Sequence, residues 1–251
     1  MEPRERIIVD LMGSNADLVT AFDLANKLSP CIGLFIVGSK TIYSKMAALF
    51  SSSGYSLYYL LKGIWGVKKA IGQKVFLDVR LNNPDSIEGE SRDISRLNPA
   101  IFTIDPSIGP RAVKMAVANK GNSMVFGTGV FLEEEECQYV FGVPPDCQTL
   151  RYAELLVGAD ADGILCLPEQ GVMLRSHGFN KLLIACPIDG QNQEGQMTPY
   201  DAIMSGIDML IIGKSITEPL QQFENPVKAV RIIELAITLG LKGRKEARNV
   251  L

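Results

Sequence analysis

The chain has 251 residues, of which 47% are hydrophobic and 21% charged, close to the average of globular proteins. These proportions exclude a disordered chain, a collagen and a coiled coil, and the length allows one large domain or two small ones. The net charge of −3, from 25 basic and 28 acidic residues, gives no sign of the clustered basic surface that nucleic-acid binding requires.

Eight short apolar runs predict the strands of a parallel sheet. They are almost continuously apolar, as expected where both faces of a sheet are covered. In chain order the predicted strands are residues 6–12, 32–38, 74–81, 100–105, 123–129, 163–168, 181–187 and 208–215.

Longer amphipathic stretches between these runs predict helices. They cover residues 15–29, 42–50, 56–72, 86–97, 110–121, 147–161, 169–178, 198–207 and 225–241. Asn225 stands as an N-cap before Pro226 at the first position of the last helix. Eight strand–helix units in one chain predict a (β/α)8 TIM barrel, an α/β fold, spanning residues 1–251 as a single domain. The alternative is a doubly wound open sheet, although no GxGxxG motif follows the first strand.

Two stretches interrupt this alternation of predicted strands and helices. Residues 51–56 (SSSGYS) form a polar break in the second helical region. Residues 131–147 form a long connection whose acidic run, Glu133 to Glu136, is typical of a solvated helix end or loop and is a weak candidate for a lid.

The sequence predicts a cytoplasmic protein without a membrane partner. Its most apolar stretch, residues 56–72, contains three lysines and is too short in uncharged residues for a membrane span, and the charged N-terminus lacks the features of a signal peptide. The five cysteines are widely spaced, which favours reduced thiols over disulfides or a zinc site.

Polar residues follow most of the predicted strands. In a barrel of this kind the active site lies at the carboxyl ends of the strands. The candidates there are Asp10, Asp78, Arg80, Asn82, Asn83, Asp105, Thr128, Asp189, Lys214 and Ser215, together with residues 190–196 (GQNQEGQ).

Two groups of these candidates have a chemical interpretation. The loops after the seventh and eighth strands commonly bind phosphate, and here they offer glycines, amides and Gly213-Lys214. Asp78 and Arg80 lie two residues apart on one strand, so both side chains are expected on the same face. An arginine beside an aspartate keeps the carboxylate ionised, which suits either a structural salt bridge at the rim or a charge near a substrate.

Four segments carry a resemblance to a known family: VDLM in the first strand, FLDVRLNNPDSI in the third, GADADGILCLPEQ around the sixth, and TPYDAIMSGIDMLIIGKSI through the eighth. In these segments the chain resembles the orotidine 5′-monophosphate decarboxylase family across nearly its full length. The resemblance implies a cytosolic, homodimeric (β/α)8 barrel that needs no cofactor or metal. The family removes the carboxylate of orotidine monophosphate to give uridine monophosphate.

The resemblance also assigns roles, and this chain departs from several of them. Asp10 matches an aspartate that contacts ribose, and Asp78 matches the first residue of an Asp-x-Lys-x-x-Asp motif that acts on the departing carboxylate. Arg80 stands where the protonating lysine belongs, and Asn83 where the second aspartate, which reaches into the partner's site, belongs. The lysine of a second-strand Lys-x-Gly motif is missing, because Ile36 stands in its place and Lys40 lies nearby but off the motif. On the substrate side, Asp105 replaces a fourth-strand histidine, Asn192 or Gln193 matches the phosphate-loop glutamine, and Gly213 with Lys214 stands for the phosphate-binding glycine–arginine pair. Thr128, at the end of the fifth strand, is a further candidate for substrate binding.

Replacing the lysine with Arg80 matters most, because an arginine stays protonated at essentially any pH and is a poor proton donor. Three hypotheses therefore stand: a decarboxylase of pyrimidine nucleotide synthesis, a catalytically inactive barrel that binds a nucleoside monophosphate, and a lyase or aldolase of the same superfamily acting on a sugar phosphate. The third class often holds a metal with carboxylates at the third strand, and Asn83 is a weak metal ligand.

Overall fold

A computed structural model describes residues 1–10, 24–38, 74–188, 197–217 and 225–250 of the chain. Eight parallel strands are joined edge to edge in sequence order, and the first strand also pairs with the last, so the sheet closes into a barrel. The predicted (β/α)8 barrel is confirmed.

The strands are short, and each begins within one or two residues of its predicted start. They are β1 (Ile7–Asp10), β2 (Leu34–Gly38), β3 (Val75–Leu81), β4 (Ile101–Ile104), β5 (Met124–Thr128), β6 (Gly163–Cys166), β7 (Leu182–Ile188) and β8 (Met209–Ile212).

Helices follow the strands on the outside of the barrel. They are α1 (Ile87–Leu97), α2 (Pro110–Ala118), α3 (Glu134–Phe141), α4 (Pro145–Gly158), α5 (Pro168–Ser176), α6 (Pro199–Met204), α7 (Lys214–Thr217) and α8 (Pro226–Val250). Residues 24–28 are also helical, and two 3-10 turns cover Pro3–Arg6 and Pro106–Ile108. Within the described ranges, none of the helices combines the length and apolarity needed to cross a bilayer.

Burial on both sides of the sheet explains why the strands are apolar throughout. One set of side chains, including Ile8, Phe76 and Phe126, fills the barrel interior. The alternate set, including Val9 and Leu77, packs outward against the helices. Successive strand residues point to opposite faces, so the sequence of a strand that is buried on both faces does not alternate between polar and apolar residues.

The eighth strand is shorter than predicted, which changes the setting of two candidate residues. It was expected to run to Ser215, but β8 ends at Ile212 and Lys214 begins the four-residue helix α7. The carbonyl of Gly213 accepts hydrogen bonds from the amides of Ile216 and Thr217, at 2.9 and 3.1 Å. These bonds turn the chain out of the sheet before Lys214, so the expectation of a strand end there was wrong.

The acidic connection after β5 also contains more structure than expected. Glu133 precedes α3, and the glutamates that follow occupy its first turn, where negative charge interacts favourably with the helix dipole. The last helix is longer than predicted and continues from 241 to Val250.

Candidate active site

Side-chain alternation identifies which residues face the barrel interior at the carboxyl ends of the strands. Ile8, Phe76, Ile184 and Ile211 lie inside the barrel. A residue two positions further along a strand shares that face. The interior residues of the upper layer are therefore Asp10, Asp78, Thr103, Thr128 and Cys186, with Gly213 in line just beyond β8.

Asp78 and Arg80 form an ion pair in this layer. The Arg80 Nε lies 3.3 Å from both carboxylate oxygens of Asp78. The Asp78 side chain is only 15% exposed, whereas that of Arg80 is 48% exposed. The pair thus joins a partly buried carboxylate to an exposed, permanently charged guanidinium.

Thr103 joins both members of this pair. Its hydroxyl donates to the Asp78 Oδ1 at 2.8 Å and accepts from the Arg80 amide at 2.9 Å. Thr103 is fully buried, so both bonds are made away from solvent. Sequence reasoning did not single it out, although it is the one hydroxyl in the apolar fourth run.

The backbone of Arg80 departs from a regular strand. Its φ of 46° lies in the left-handed region, which costs a non-glycine residue about 1–2 kcal/mol. The pairing of β3 with β4 shifts register between Leu77 and Leu81, as at a β-bulge. The ion pair suggested by the spacing of Asp78 and Arg80 is present, but it is made across this irregularity.

Phe131, in the loop after β5, covers the other side of Arg80. The guanidinium carbon lies 5.2 Å from the centre of the Phe131 ring, within the range of a cation–π interaction. Sequence reasoning had placed Phe131 only in the long connection, because a loop phenylalanine carries no periodic signal.

Cys186 brings a neutral thiol into the same layer. Burial raises the pKa of the Cys186 thiol to about 12, and the negative charges of Asp10 and Asp78 add to the increase while Arg80 opposes it. The thiol is therefore protonated at neutral pH. Its electrostatic neighbours also show that β1, β3 and β7 bring their polar residues to one end of the barrel.

Asp10 connects this cluster to the end of β8. Val9 pairs with Ile212 across the β1–β8 boundary, and a methyl group added at Gly213 would lie 3.9 Å from the Asp10 Cβ. Lys214, which follows directly, is exposed. The aspartate that ends β1 and the lysine that begins α7 thus belong to the same rim.

The other candidates occupy less central positions. Asn83 is exposed, and its side chain accepts a hydrogen bond from the Asp85 amide at 3.1 Å. Asp105 similarly accepts from the Ser107 amide at 2.9 Å and caps the 3-10 turn that follows β4. Thr128 is buried. The candidates Lys40, Asp189, Asn192 and Gln193 lie outside the described residues.

In the part of the chain that the structure describes, no three histidine, cysteine, aspartate or glutamate side chains come together as a metal-binding group. The described cluster therefore brings together a fixed cation, two carboxylates and a protonated thiol at the carboxyl ends of the strands.

Comparison with known proteins gives consistent relatives. A curated protein named orotidine 5′-phosphate decarboxylase from Anaeromyxobacter sp. (strain K) is 28% identical over 246 residues, which cover 93% of this chain and 98% of that protein. A protein of the same name from Aquifex aeolicus (strain VF5) is 28% identical over 187 residues, covering 68% of this chain and 79% of its own. No family model matches the chain.

Solved structures agree on the fold. A crystal structure of orotidine 5′-phosphate decarboxylase from Lactobacillus acidophilus has a TM-score of 0.69 at 18% identity and covers 93% of this chain and 99% of its own. The enzyme of the same name from Pyrococcus horikoshii OT3 has a TM-score of 0.67, also at 18% identity, with 92% and 99% covered. The resemblance found in the sequence motifs is confirmed by the curated relatives, and the barrel by the structures.

Proposed function

We propose that this chain, a divergent relative of the orotidine 5′-phosphate decarboxylases over nearly its full length, is a carboxy-lyase that converts orotidine monophosphate to uridine monophosphate. In this reaction the bond from the pyrimidine C6 to the carboxylate breaks, carbon dioxide leaves, and a proton joins the electron pair left on C6. The observation that carries the proposal is the Asp78–Arg80 pair at the mouth of the barrel.

The two members of the pair have different tasks in this proposal. Asp78, little exposed and held by Thr103, presents a negative charge to the carboxylate that must leave. Arg80 supplies a cation that stabilises the electron pair developing at C6, because charge fixed in advance in a partly dry site is effective at stabilising a transition state. The cation also neutralises part of the Asp78 charge, so repulsion of the substrate carboxylate is weaker than with a free aspartate.

Proton delivery is the weak step. A guanidinium stays protonated at essentially any pH and gives up its proton poorly. Since a well-placed general acid contributes ~10²–10⁴ in rate, we expect turnover to be slow, limited by protonation of C6.

The phosphate of the substrate is assigned to the rim beside β8. Lys214 is exposed there, one residue after a glycine that adjoins Asp10. Lysine is a common phosphate ligand, acting as a point charge. With phosphate at this rim and the base toward Asp78, Asp10 lies between them, where the resemblance places a ribose contact.

The test is release of carbon dioxide from orotidine monophosphate by the purified protein and by two variants at the same position. Arg80→Ala should lower the rate to a small residual value. Arg80→Lys, which restores an ammonium, should raise it by up to ~10⁴. As a matched control, Arg92 makes a surface ion pair with Glu88, and Arg92→Ala and Arg92→Lys should leave the rate unchanged. Equal rates for the unmodified protein and Arg80→Ala would refute the proposal.

A second candidate function is binding of a nucleoside monophosphate without turnover. The observation that favours it is that Arg80 contacts both Asp78 and Phe131. The charges of Asp78 and Arg80 then balance each other, and no described residue takes over the role of the protonating lysine. It predicts calorimetric binding of uridine monophosphate that is lost in Lys214→Ala, with no carbon dioxide released by any Arg80 variant. Absence of binding to any nucleoside monophosphate or sugar phosphate would count against it.

We also propose that the protein works as a cytoplasmic homodimer in pyrimidine nucleotide synthesis. The position of Asn83 supports pairing, since it is exposed just beyond the end of β3, where the family contributes a residue to the partner's site. The five cysteines are all free, which suits a reducing compartment. Sedimentation equilibrium should give twice the chain mass, and a monomer at micromolar concentration would contradict the pairing.

A further inference from the structure

Two buried polar side chains hold the loop after β5 in place, because both form hydrogen bonds with the backbone of Val130. The amide of Val130 donates to the Thr149 Oγ1 at 3.1 Å, and its carbonyl accepts from the Gln170 Nε2 at 2.9 Å. Thr149 is 0% and Gln170 1% exposed. Because buried polar groups that are fully bonded are costly to displace, these two side chains from α4 and α5 fix the backbone of Val130.

Gln170 is itself fixed. Its Oε1 accepts from the Leu167 amide at 3.2 Å, so both ends of the side-chain amide are bonded. There is also little space around it, because a methyl group added at Gly129 would lie 3.0 Å from that oxygen. We call the hydrogen bonds of Thr149 and Gln170 to the Val130 backbone the clamp. Through Gln170 the clamp connects the start of α5 to the loop after β5.

The residue next to this clamp is Phe131, whose ring lies under the Arg80 guanidinium, 5.2 Å from its carbon. Phe131 also packs against the side chains of the barrel interior. Arg80 needs such support, because its side chain is 48% exposed and a long exposed side chain is otherwise free to adopt many rotamers.

A planar guanidinium suits this arrangement better than an ammonium. Its edge can bond to a carboxylate while its face lies on an aromatic ring. In Arg80 the Nε bonds to Asp78 and the guanidinium carbon lies over the Phe131 ring. A lysine ammonium is a compact point charge and has no planar face to lie along the ring.

We propose that Phe131 is a positioning residue for the reaction: clamped through Val130 by Thr149 and Gln170, its ring holds the Arg80 guanidinium in a fixed place beside Asp78 at the mouth of the barrel. The inference rests on the proposed decarboxylation. In this role the loop after β5 supports the guanidinium of Arg80, which stands where the family has a lysine.

The experiment is a double-mutant cycle between Phe131 and Arg80, measured as kcat and KM for carbon dioxide release. Phe131→Leu keeps an apolar side chain and removes the aromatic face, so it should lower kcat about 2- to 5-fold with little change in KM. In the Arg80→Ala background the same substitution should have no effect on the residual rate, since no guanidinium remains to be positioned. Phe179→Leu, at a buried phenylalanine between α5 and β7, controls for a general loss of packing and should leave kcat unchanged.

A conservative change in the clamp gives a second readout. Gln170→Glu keeps the oxygen that accepts from Leu167 and removes the donor to the Val130 carbonyl. It should lower kcat by a factor similar to that of Phe131→Leu, and the two changes together should cost no more than either alone.

Nuclear magnetic resonance supplies a signature that a structural role elsewhere would not produce. The Arg80 Nε proton, assigned by its loss in Arg80→Ala, should move downfield in Phe131→Leu because the ring current above the aromatic face disappears. An unchanged resonance, or an unchanged kcat in Phe131→Leu, would overturn the positioning role while leaving decarboxylation standing. Absence of carbon dioxide release by the unmodified protein would instead overturn the proposed function, and this role with it.

Discussion

Replacing Thr103 with valine removes the hydroxyl that joins β3 to β4 at the mouth of the barrel while keeping the shape of the side chain. The change deletes a bond to the Asp78 carboxylate at 2.8 Å and one from the Arg80 amide at 2.9 Å. A hydrogen bond to a charged group contributes ~1.5–3 kcal/mol and a neutral one ~0.5–1.5 kcal/mol. Their sum gives an expected loss of ~2–4.5 kcal/mol in the free energy of unfolding.

The loss should be large in this place for a further reason. The amide of Arg80 belongs to a residue with a φ of 46°, and the bond to Thr103 helps to hold that unfavourable conformation. For a chain of this length ~1 kcal/mol corresponds to ~2–4 °C in Tm, so Thr103→Val should melt roughly 4–18 °C below the unmodified protein.

Urea unfolding and thermal melting measure this difference, with Thr103→Ser as the matched control. Serine keeps the hydroxyl and loses one methyl group, at a cost near ~1 kcal/mol. If the valine variant is no less stable than the serine variant, the hydroxyl does not join the two strands as described, and the account of how Asp78 and Arg80 are held is wrong.

Three further outcomes are expected. Lys214→Ala should weaken binding of uridine monophosphate at least ~10-fold in calorimetry, and unchanged affinity would move the phosphate away from β8. The pKa values of the Cys166 and Cys186 thiols are raised to about 12 by burial, so above pH 9 the unfolded chain loses these protons first. The contribution of these thiols to the free energy of unfolding should therefore be constant below pH 9. It should fall as pH rises from 9 to 12, by up to ~1.4 kcal/mol per pH unit for each thiol. In urea unfolding at a series of pH values Cys186→Ala should show a shallower fall in stability, and a fall as steep as that of the unmodified protein would contradict the burial of this thiol. Gly163→Ala should destabilise the barrel by ~2–3 kcal/mol or more, because the added methyl would lie 2.4 Å from a backbone oxygen of β7, whereas Gly89→Ala on α1, with open space around it, should be neutral or slightly stabilising in the same melts.

The barrel was predictable because its signal is carried by whole segments. Each strand must be apolar on both faces, and eight such runs alternating with amphipathic stretches leave few other architectures. The ends of the strands were less predictable, because they depend on single backbone bonds. The Gly213 carbonyl, for example, turns the chain into α7 before Lys214, and nothing in the apolar run that precedes it marks that point.

A site residue was predictable from the sequence only where a polar residue type coincides with a position toward the carboxyl end of a predicted strand. Asp10 ends β1 and Asp78 lies within β3, and their carboxylates in otherwise apolar runs indicated the mouth. Thr103 and Phe131 were not found, because their importance comes from contacts across the sheet: Thr103 reaches β3 from β4, and Phe131 reaches Arg80 from the loop after β5. Such pairings depend on the register shift in β3, which no local pattern encodes.

The central claim is that one pocket at the carboxyl ends of the strands takes a nucleoside monophosphate, with its base at β3 and its phosphate at β8. A crystal structure of the protein with uridine monophosphate tests it most directly. The account predicts a phosphate oxygen within hydrogen-bonding distance of the Lys214 side chain or backbone and the pyrimidine C6 facing Asp78 and Arg80. A nucleotide bound with its phosphate on the β3 side, or outside the mouth altogether, would contradict it.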